Sequence, residues 1–497
     1  MANEALTGPL IRNDILLQIA QCSEMKLFLL VSGCRILLLF VMLLLRCVLQ
    51  LILGAEALWD SGTLLYDDNE STWTLLNFPR NWDGVHFFHI ATHGYSHENL
   101  CAFFPLVPLI VRAVSWVMEC GFLSEAMRVT PVSFHVAVLN VLVGGAAAVL
   151  LRRITALTLL NGTLMDELPP SPICCQQNTS MCESAKVAPW REVGAAVLMW
   201  MLSPASVFTV VLYTESIFSF LTFLALYLLA ISPKGRRRAA LAEAGAVVSF
   251  FLAGCARSNA TLYTGFVLYP IFMQLFLYDT YRRRYKQRYG DAANPSRWPS
   301  IARCVITLIE GALIITPFLA MNGFCYNRFV PLWNTESKAE IGSRFWTFYS
   351  WMQKRYWNVG FLNAYRWSNV PNMLISAPIV FFTVRGLVLF FSKPVMVKRK
   401  EQKNWDGVCL SVIKGMLACT MQSSNIAYLV VTIVIGVTVV HINVVNRFIM
   451  SSPCLYWIWG RQLVCDPRGR FTVAMLCIFV VWNCLGALFV PHGMPWT

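Results

Sequence analysis

Apolar runs of about 20 residues, the length a helix needs to cross the hydrocarbon core of a bilayer, recur along most of this 497-residue chain. That recurrence restricts the fold more than any other feature. Inside a bilayer there is no water to bond exposed N–H and C=O groups, so only helices and closed barrels can cross. Barrel strands alternate apolar and polar positions over about 10 residues, and these runs do not alternate. With 57% of its residues hydrophobic and 13% charged, the chain lies outside the range of soluble domains. The reading is an all-α polytopic membrane protein in which residues 1–497 form one bundle and a single domain.

Eleven spans are expected, at residues 27–53, 131–151, 193–211, 215–231, 239–255, 262–278, 301–319, 370–391, 425–441, 448–460 and 471–490. The first is too long, and too poor in cleavable small residues, to be a signal peptide. Its Arg35 and Arg46 lie about three turns apart and share a face, which either looks into the bundle or lets the side chains snorkel to an edge. Snorkelling is the simpler of the two. The run 103–122 carries Pro105, Pro108, Arg112 and Glu119. If it does not cross, then Arg152 and Arg153, the cluster Lys234 to Arg238, and the cluster Arg282 to Arg288 all fall on the cytoplasmic side, as the positive-inside rule requires. It is therefore read as an amphipathic or re-entrant element.

This topology puts two large loops, 54–129 and 322–369, on the side opposite the basic clusters. It gives a cytoplasmic N-terminus and assigns the net charge of +14 to membrane anchoring rather than to nucleic acid. It also places the sequon at Asn69 outside the cytoplasm and those at Asn161 and Asn178 within it. The seventeen cysteines show no spacing that marks a disulfide framework. The cluster Cys174, Cys175 and Cys182 lacks the paired Cys-x-x-Cys elements of a zinc site. No metal or other cofactor is implied.

Within the first loop, Asn81 to Pro105 gathers one aspartate, four histidines, a glutamate and a row of aromatics. Asp83 follows Trp82 and precedes His86 by three residues. A carboxylate at a membrane surface can act as a general base on an acceptor hydroxyl or can simply cap a helix. His86, His89, His93 and His97 share a helical face but lack the H-E-x-x-H pattern of a zinc helix, so they read as interfacial histidines. The assumed topology brings Tyr213-Thr214-Glu215 and Arg257-Ser258-Asn259 to turns on the same side. Glu215 is a functional candidate as an acid inside an apolar run. Arg257 and Asn259 can hold an anionic leaving group. The pentapeptide Asn81 to Val85 recurs at Asn404 to Val408, but the second copy lies in a lysine-rich cytoplasmic segment, so Asp406 reads as a decoy.

These residues carry a resemblance. Trp82-Asp83-x-x-His86-Phe87, His93-Gly94-Tyr95 and Ala102-Phe103-Phe104-Pro105 are similar to the first luminal loop of the PIG-V family of mannosyltransferases. The likeness continues through Leu202-Ser203-Pro204-Ala205, Tyr213-Thr214-Glu215, Arg257-Ser258-Asn259, Tyr356 to Leu362, Val370-Pro371-Asn372, Arg447-Phe448 and Pro495-Trp496-Thr497. The resemblance implies a GT-C type enzyme of the endoplasmic reticulum membrane with a luminal active site. The donor would be dolichyl phosphate mannose, and the acceptor a mannosylated glucosaminyl-phosphatidylinositol that receives its second mannose in α1,6 linkage. Asp83 would be the base, and an accessory subunit is compatible with it. Turning a β-linked donor into an α-mannoside needs inversion, so one base suffices. The departing lipid phosphate needs charge stabilisation, for which Arg257 is the first candidate and Arg447 the second. Trp82, His86, Glu215 and Asn259 complete the expected substrate contacts. The competing readings are another step of lipid-linked mannose transfer, a secondary transporter, disfavoured by the absence of internal repeats, and a non-catalytic scaffold.

Overall fold

The computed structural model describes residues 14–54, 75–120, 131–160, 181–231, 236–289, 294–333, 335–396, 420–494 and Trp496. Its regular structure is helical. In chain order the α-helices are α1 (Ile15–Gln21), α2 (Glu24–Leu53), α3 (Asp83–His93), α4 (Leu106–Glu119), α5 (Val132–Leu160), α6 (Met181–Met201), α7 (Glu215–Ala230), α8 (Arg236–Gly254), α9 (Thr264–Phe276), α10 (Tyr278–Tyr289), α11 (Ile301–Phe329), α12 (Thr335–Ile341), α13 (Phe348–Trp357), α14 (Val370–Met396), α15 (Thr420–Thr438), α16 (Val445–Ile449), α17 (Pro453–Cys465) and α18 (Arg470–Phe489). The three sequons, Cys174 and Cys175, and the second Asn-Trp-Asp-Gly-Val copy with Asp406 lie outside the described residues.

Five helical stretches among the described residues are long and apolar enough to cross a bilayer on their own: Glu24–Ile52, Val132–Leu159, Ile301–Leu332, Trp367–Leu389 and Arg470–His492. Glu215–Ala230 and Ser424–Thr438 are apolar but shorter. The expected count of eleven is therefore not reached by length and apolarity alone. Helix α17 has 13 residues and buries Pro453 to Gly460 without a break, so it packs inside the bundle. Helix α4, with 14 residues, is about 21 Å long, shorter than the hydrocarbon core of about 30 Å, which suits the expected membrane-surface element. Helix α11 runs on to Phe329, well into the stretch expected to be the loop 322–369.

Two expectations fail for the same reason: hydropathy does not see packing. The run 193–211 is not one span, because α6 ends at Met201. Pro204 disfavours a helical residue before it, and the chain from Ser203 to Glu215 continues as a wholly buried, mostly irregular segment with one 3₁₀ turn at Ser206–Thr209. Irregular backbone inside a bundle needs its polar groups satisfied by protein. Here Asn140 Nδ2 donates to the carbonyls of Val211 and Tyr213, Asn483 Nδ2 donates to those of Leu202 and Ser203, and the Leu212 N–H donates to Pro79 O at 2.9 Å. Arg35 and Arg46 do not snorkel. Both are 3% exposed; Arg35 donates to Trp200 O at 3.0 Å and Arg46 to Pro491 O. A buried guanidinium needs such acceptors, so the shared face of α2 looks into the bundle.

Helix α1, which no apolar run announced, is capped by Asp14 and lies directly against α6. A Cβ on Gly194 would sit 1.9 Å from Leu16 O, so only glycine lets the two backbones approach. The cysteines also differ from expectation, since Cys101 and Cys325 form a disulfide across 224 residues. It joins the 3₁₀ turn after α3 to the end of α11. Sequence spacing could not reveal a bond between two single cysteines so far apart.

Candidate active site

The turn that delivers Asp83 is built by its neighbours. Asn81 Nδ2 donates to the carbonyls of Val490 and Pro491, and the Trp82 indole N–H donates to Met494 O at 2.9 Å. Trp82 has φ 58° and ψ −123°, a positive-φ conformation outside the left-handed helical well that costs a non-glycine residue on the order of 1–3 kcal/mol. The long-range bonds hold a turn that the local chain disfavours. Next to it, a Cβ on Gly84 would meet Pro79 O at 3.0 Å and Leu212 O at 3.3 Å. The glycine therefore lets the start of α3 settle on the buried segment, where the Asp83 N–H donates to the Tyr213 hydroxyl at 3.2 Å.

Three further elements bring charge to this point. Glu215 begins α7 and is 1% exposed; Arg257 follows the end of α8; Arg447 lies on the short α16. Arg447 bridges the two acids, with Nη1 2.8 Å from Asp83 Oδ2 and Nε 2.5 Å from Glu215 Oε1. Arg257 Nη1 reaches the same Glu215 oxygen at 2.9 Å. The Arg447 guanidinium also lies 4.9 Å from the Phe208 ring centroid and 4.7 Å from that of Tyr213, and Arg257 lies 5.4 Å from Phe218. Burial works against the charge of Arg447, but Glu215 and Asp83 outweigh it and hold the group above its ordinary pKa. Two cations thus face two anions, and the anions are not equivalent. Glu215 is enclosed behind the arginines, whereas the Asp83 side chain remains 32% exposed.

Asp83, Glu215, Arg257 and Arg447, nominated from four separate parts of the sequence, therefore form one cluster. Asn259 lies in the 3₁₀ turn after Arg257, 6% exposed, with neither side-chain amide atom hydrogen-bonded. A buried amide without a partner is costly and suits a polar ligand group. His86 stacks on Phe103 at 4.4 Å. Burial pushes its imidazole down to about 4, and Asp83 pulls the other way too weakly to restore it, so His86 is neutral at pH 7. His89 Nε2 and His97 Nδ1 share the Ser96 hydroxyl, His93 Nδ1 bonds to that of Thr92, and His89 stacks on His93 at 4.7 Å.

The sequence reading missed two members of the site. Tyr213 supports both the Asp83 N–H and the Arg447 plane, and Phe208 forms the other aromatic wall. Tyr213 stands beside Glu215 in a motif already noticed, so its signal was present; nothing distinguished Phe208 from a core residue.

A family model described as Mannosyltransferase (PIG-V) matches residues 23–165 and 179–493. The chain belongs to the PIG-V mannosyltransferase family. It is a multi-pass membrane glycosyltransferase, and all four charged residues of the cluster fall within the matched segments. Among its relatives, GPI mannosyltransferase 2 of Drosophila pseudoobscura pseudoobscura is 25% identical over 444 residues, covering 84% of this chain and 86% of that protein. GPI alpha-1,6-mannosyltransferase 2 of Mus musculus is 26% identical over 418 residues and that of Homo sapiens 26% over 422, each covering 77% of this chain and 72% of the relative. No solved structure matches the chain. For a mannosyltransferase, the cluster offers a partly exposed carboxylate held by one guanidinium, with a second guanidinium on the enclosed Glu215 behind it.

Proposed function

We propose that this mannosyltransferase works on the luminal side of the endoplasmic reticulum membrane. It transfers mannose from dolichyl phosphate mannose to a mannosylated glucosaminyl-phosphatidylinositol, in α1,6 linkage and with inversion. The observation that carries the reading is the Asp83–Arg447–Glu215–Arg257 chain of contacts. Arg447 engages Asp83 Oδ2, which orients the carboxylate and leaves Oδ1 for the acceptor. Asp83 takes the proton of the acceptor hydroxyl as its oxygen attacks mannose C1. The C1–O bond to phosphate breaks, and its electron pair leaves on the phosphate oxygen. Arg257 and Arg447 stabilise that charge, and Glu215 positions them from behind. Trp82 and His86 flank the carboxylate, and Asn259 offers its amide to a sugar hydroxyl or to the phosphate.

The Cys101–Cys325 disulfide supports the luminal placement, because such bonds persist in oxidising compartments. The names of the relatives support the acceptor and the linkage. The test is Asp83→Asn, assayed for transfer from dolichyl phosphate mannose to a one-mannose acceptor in membranes with matched protein levels. Asparagine keeps the shape of the side chain but cannot take a proton, so transfer falls by about 10² to 10⁴. A variant within about threefold of wild type lacks the loss that a missing base produces and would refute the assignment. Lipid profiling of a null cell separates this reaction from other lipid-linked mannose transfers: a one-mannose intermediate accumulates.

A further inference from the structure

The stretch Tyr356 to Leu362 stood out in the sequence but takes no part in the charge cluster. It forms one wall of a separate pocket. Helix α13 ends in a left-handed Asn358, whose N–H caps the carbonyls of Gln353 and Lys354. The chain then folds back so that the Leu362 N–H donates to Thr438 O at 2.6 Å and the Tyr365 hydroxyl to Val437 O at 2.9 Å. Leu362 has φ 57°, a left-handed conformation kept in place by the contacts with the end of α15. Between this fold-back and residues Val439 to His441 lies a pocket of about 130 Å³ that opens outward, so a ligand larger than a phosphate group would extend into its mouth.

The chemistry of the lining is specific. Arg366, His441, Asn358, Asn363, Ser368 and Asn369 face the pocket, and no acidic residue lines it. Arg366 is exposed, and among the described residues its guanidinium has no hydrogen-bond or ion-pair partner within the protein, whereas the largely buried Arg257 and Arg447 are committed to Glu215. Helix α14 begins at Val370, directly after Asn369, so the positive end of its dipole adjoins the same space. Positive charge with several amide and hydroxyl groups matches a phosphate next to a polyhydroxylated ring. Next in sequence to lining residues, Trp367 is 93% exposed, and Phe361 is 74% exposed. Aromatic residues exposed beside a spanning helix mark the headgroup level of a membrane.

Two routes connect the pocket with Asp83. Trp357, in its lining, contacts Phe103 edge-on at 6.4 Å, and Phe103 stacks on His86, three residues from Asp83. On the other side, His441 leads through the 3₁₀ turn Ile442–Val444 into α16, which carries Arg447. We infer that this pocket receives the inositol phosphate headgroup of the acceptor lipid, with Arg366 on the phosphate and the Asn and Ser side chains on the ring hydroxyls, while the lipid tails lie against Phe361 and Trp367. The inference rests on the proposed acceptor, and its test is separable from that proposal.

The full-length protein, in phosphatidylcholine nanodiscs, is irradiated with a photoactivatable phosphatidylinositol, and the labelled peptide is mapped. Wild type is labelled within 357–369, and unlabelled phosphatidylinositol competes. Arg366→Gln lowers labelling about tenfold or more, the effect of losing one charge-assisted contact, whereas Arg366→Lys retains most of it. Soluble inositol phosphate competing as well as the lipid would show that the pocket reads free phosphate and would overturn the lipid assignment. Labelling elsewhere, or unchanged labelling of Arg366→Gln, would overturn the pocket itself. In the transfer assay Arg366→Gln raises the acceptor KM and leaves the donor KM and kcat unchanged; a fall in kcat alone would also count against it. Arg366-dependent labelling in a protein that transfers no mannose would leave the pocket standing and remove the proposed reaction.

Discussion

Replacing Arg447 by lysine keeps a positive charge at the centre of the site and removes only its shape. The guanidinium reaches Asp83 at 2.8 Å and Glu215 at 2.5 Å through different nitrogens, between the rings of Phe208 and Tyr213. A lysine ammonium is a compact point charge without that planar fork. In the same space it can hold one carboxylate at hydrogen-bond distance, and Glu215, 1% exposed with Arg257 as its remaining cation at 2.9 Å, is the more costly of the two to leave underpaired. The lysine therefore stays with Glu215, and Asp83 loses its orienting partner. One charge-assisted hydrogen bond is worth about 1.5–3 kcal/mol, so kcat/KM for mannose transfer falls by roughly ten- to hundred-fold. Arg257→Lys, which gives up no second carboxylate, loses less. The assay is mannose transfer by each variant in detergent-solubilised, monodisperse protein, with thermal unfolding to show that both remain folded. If Arg447→Lys turns over within about threefold of wild type, a barrier change well under one such bond, the bridging geometry has no catalytic role. The same conclusion follows if Arg257→Lys is the more damaged of the two.

Two further outcomes follow from the structure. Cys101 and Cys325 resist a thiol-reactive maleimide until the protein is reduced, and Cys101→Ser lowers stability by about 2–5 kcal/mol, read as a fall in melting temperature; labelling of both cysteines without reductant contradicts the bond. His86, held down at about 4 against an ordinary value of 6.5, gives a pH signature of definite sign. Below about pH 6.5 the unfolded chain binds a proton that folded His86 does not, so its contribution is complete above that pH and is lost as the pH falls toward 4. The melting temperature accordingly drops between pH 7.5 and 5 by more in wild type than in His86→Asn, and equal drops would show that His86 is not the group responsible.

The sequence by itself determined the solvent in which this protein folds, because runs of about 20 apolar residues leave the backbone few alternatives to helix. It also nominated the charged residues of the site, because an acid or an arginine within or beside an apolar run is costly and stands out in composition alone. Glu215 and Arg257 were visible for that reason, Asp83 through the histidines and aromatics around it, and Arg447 only through the family resemblance. What they do to one another was not visible. That Glu215 is enclosed while the Asp83 side chain stays partly exposed depends on where α7, α8 and α16 lie relative to α3, and hydropathy carries no information about relative depth. The segment from Ser203 to Glu215 shows the limit most clearly. Most of it falls in a stretch expected to span, yet it forms a buried irregular support for Asp83, because Asn140 and Asn483, distant in sequence, donate to carbonyl groups within it and to that of Leu202. Arg35 and Arg46 turned inward on the same principle, since the carbonyls of Trp200 and Pro491 were there to receive them. Composition sets the cost of burying a polar group, but only the tertiary structure supplies the partner that decides whether it is buried.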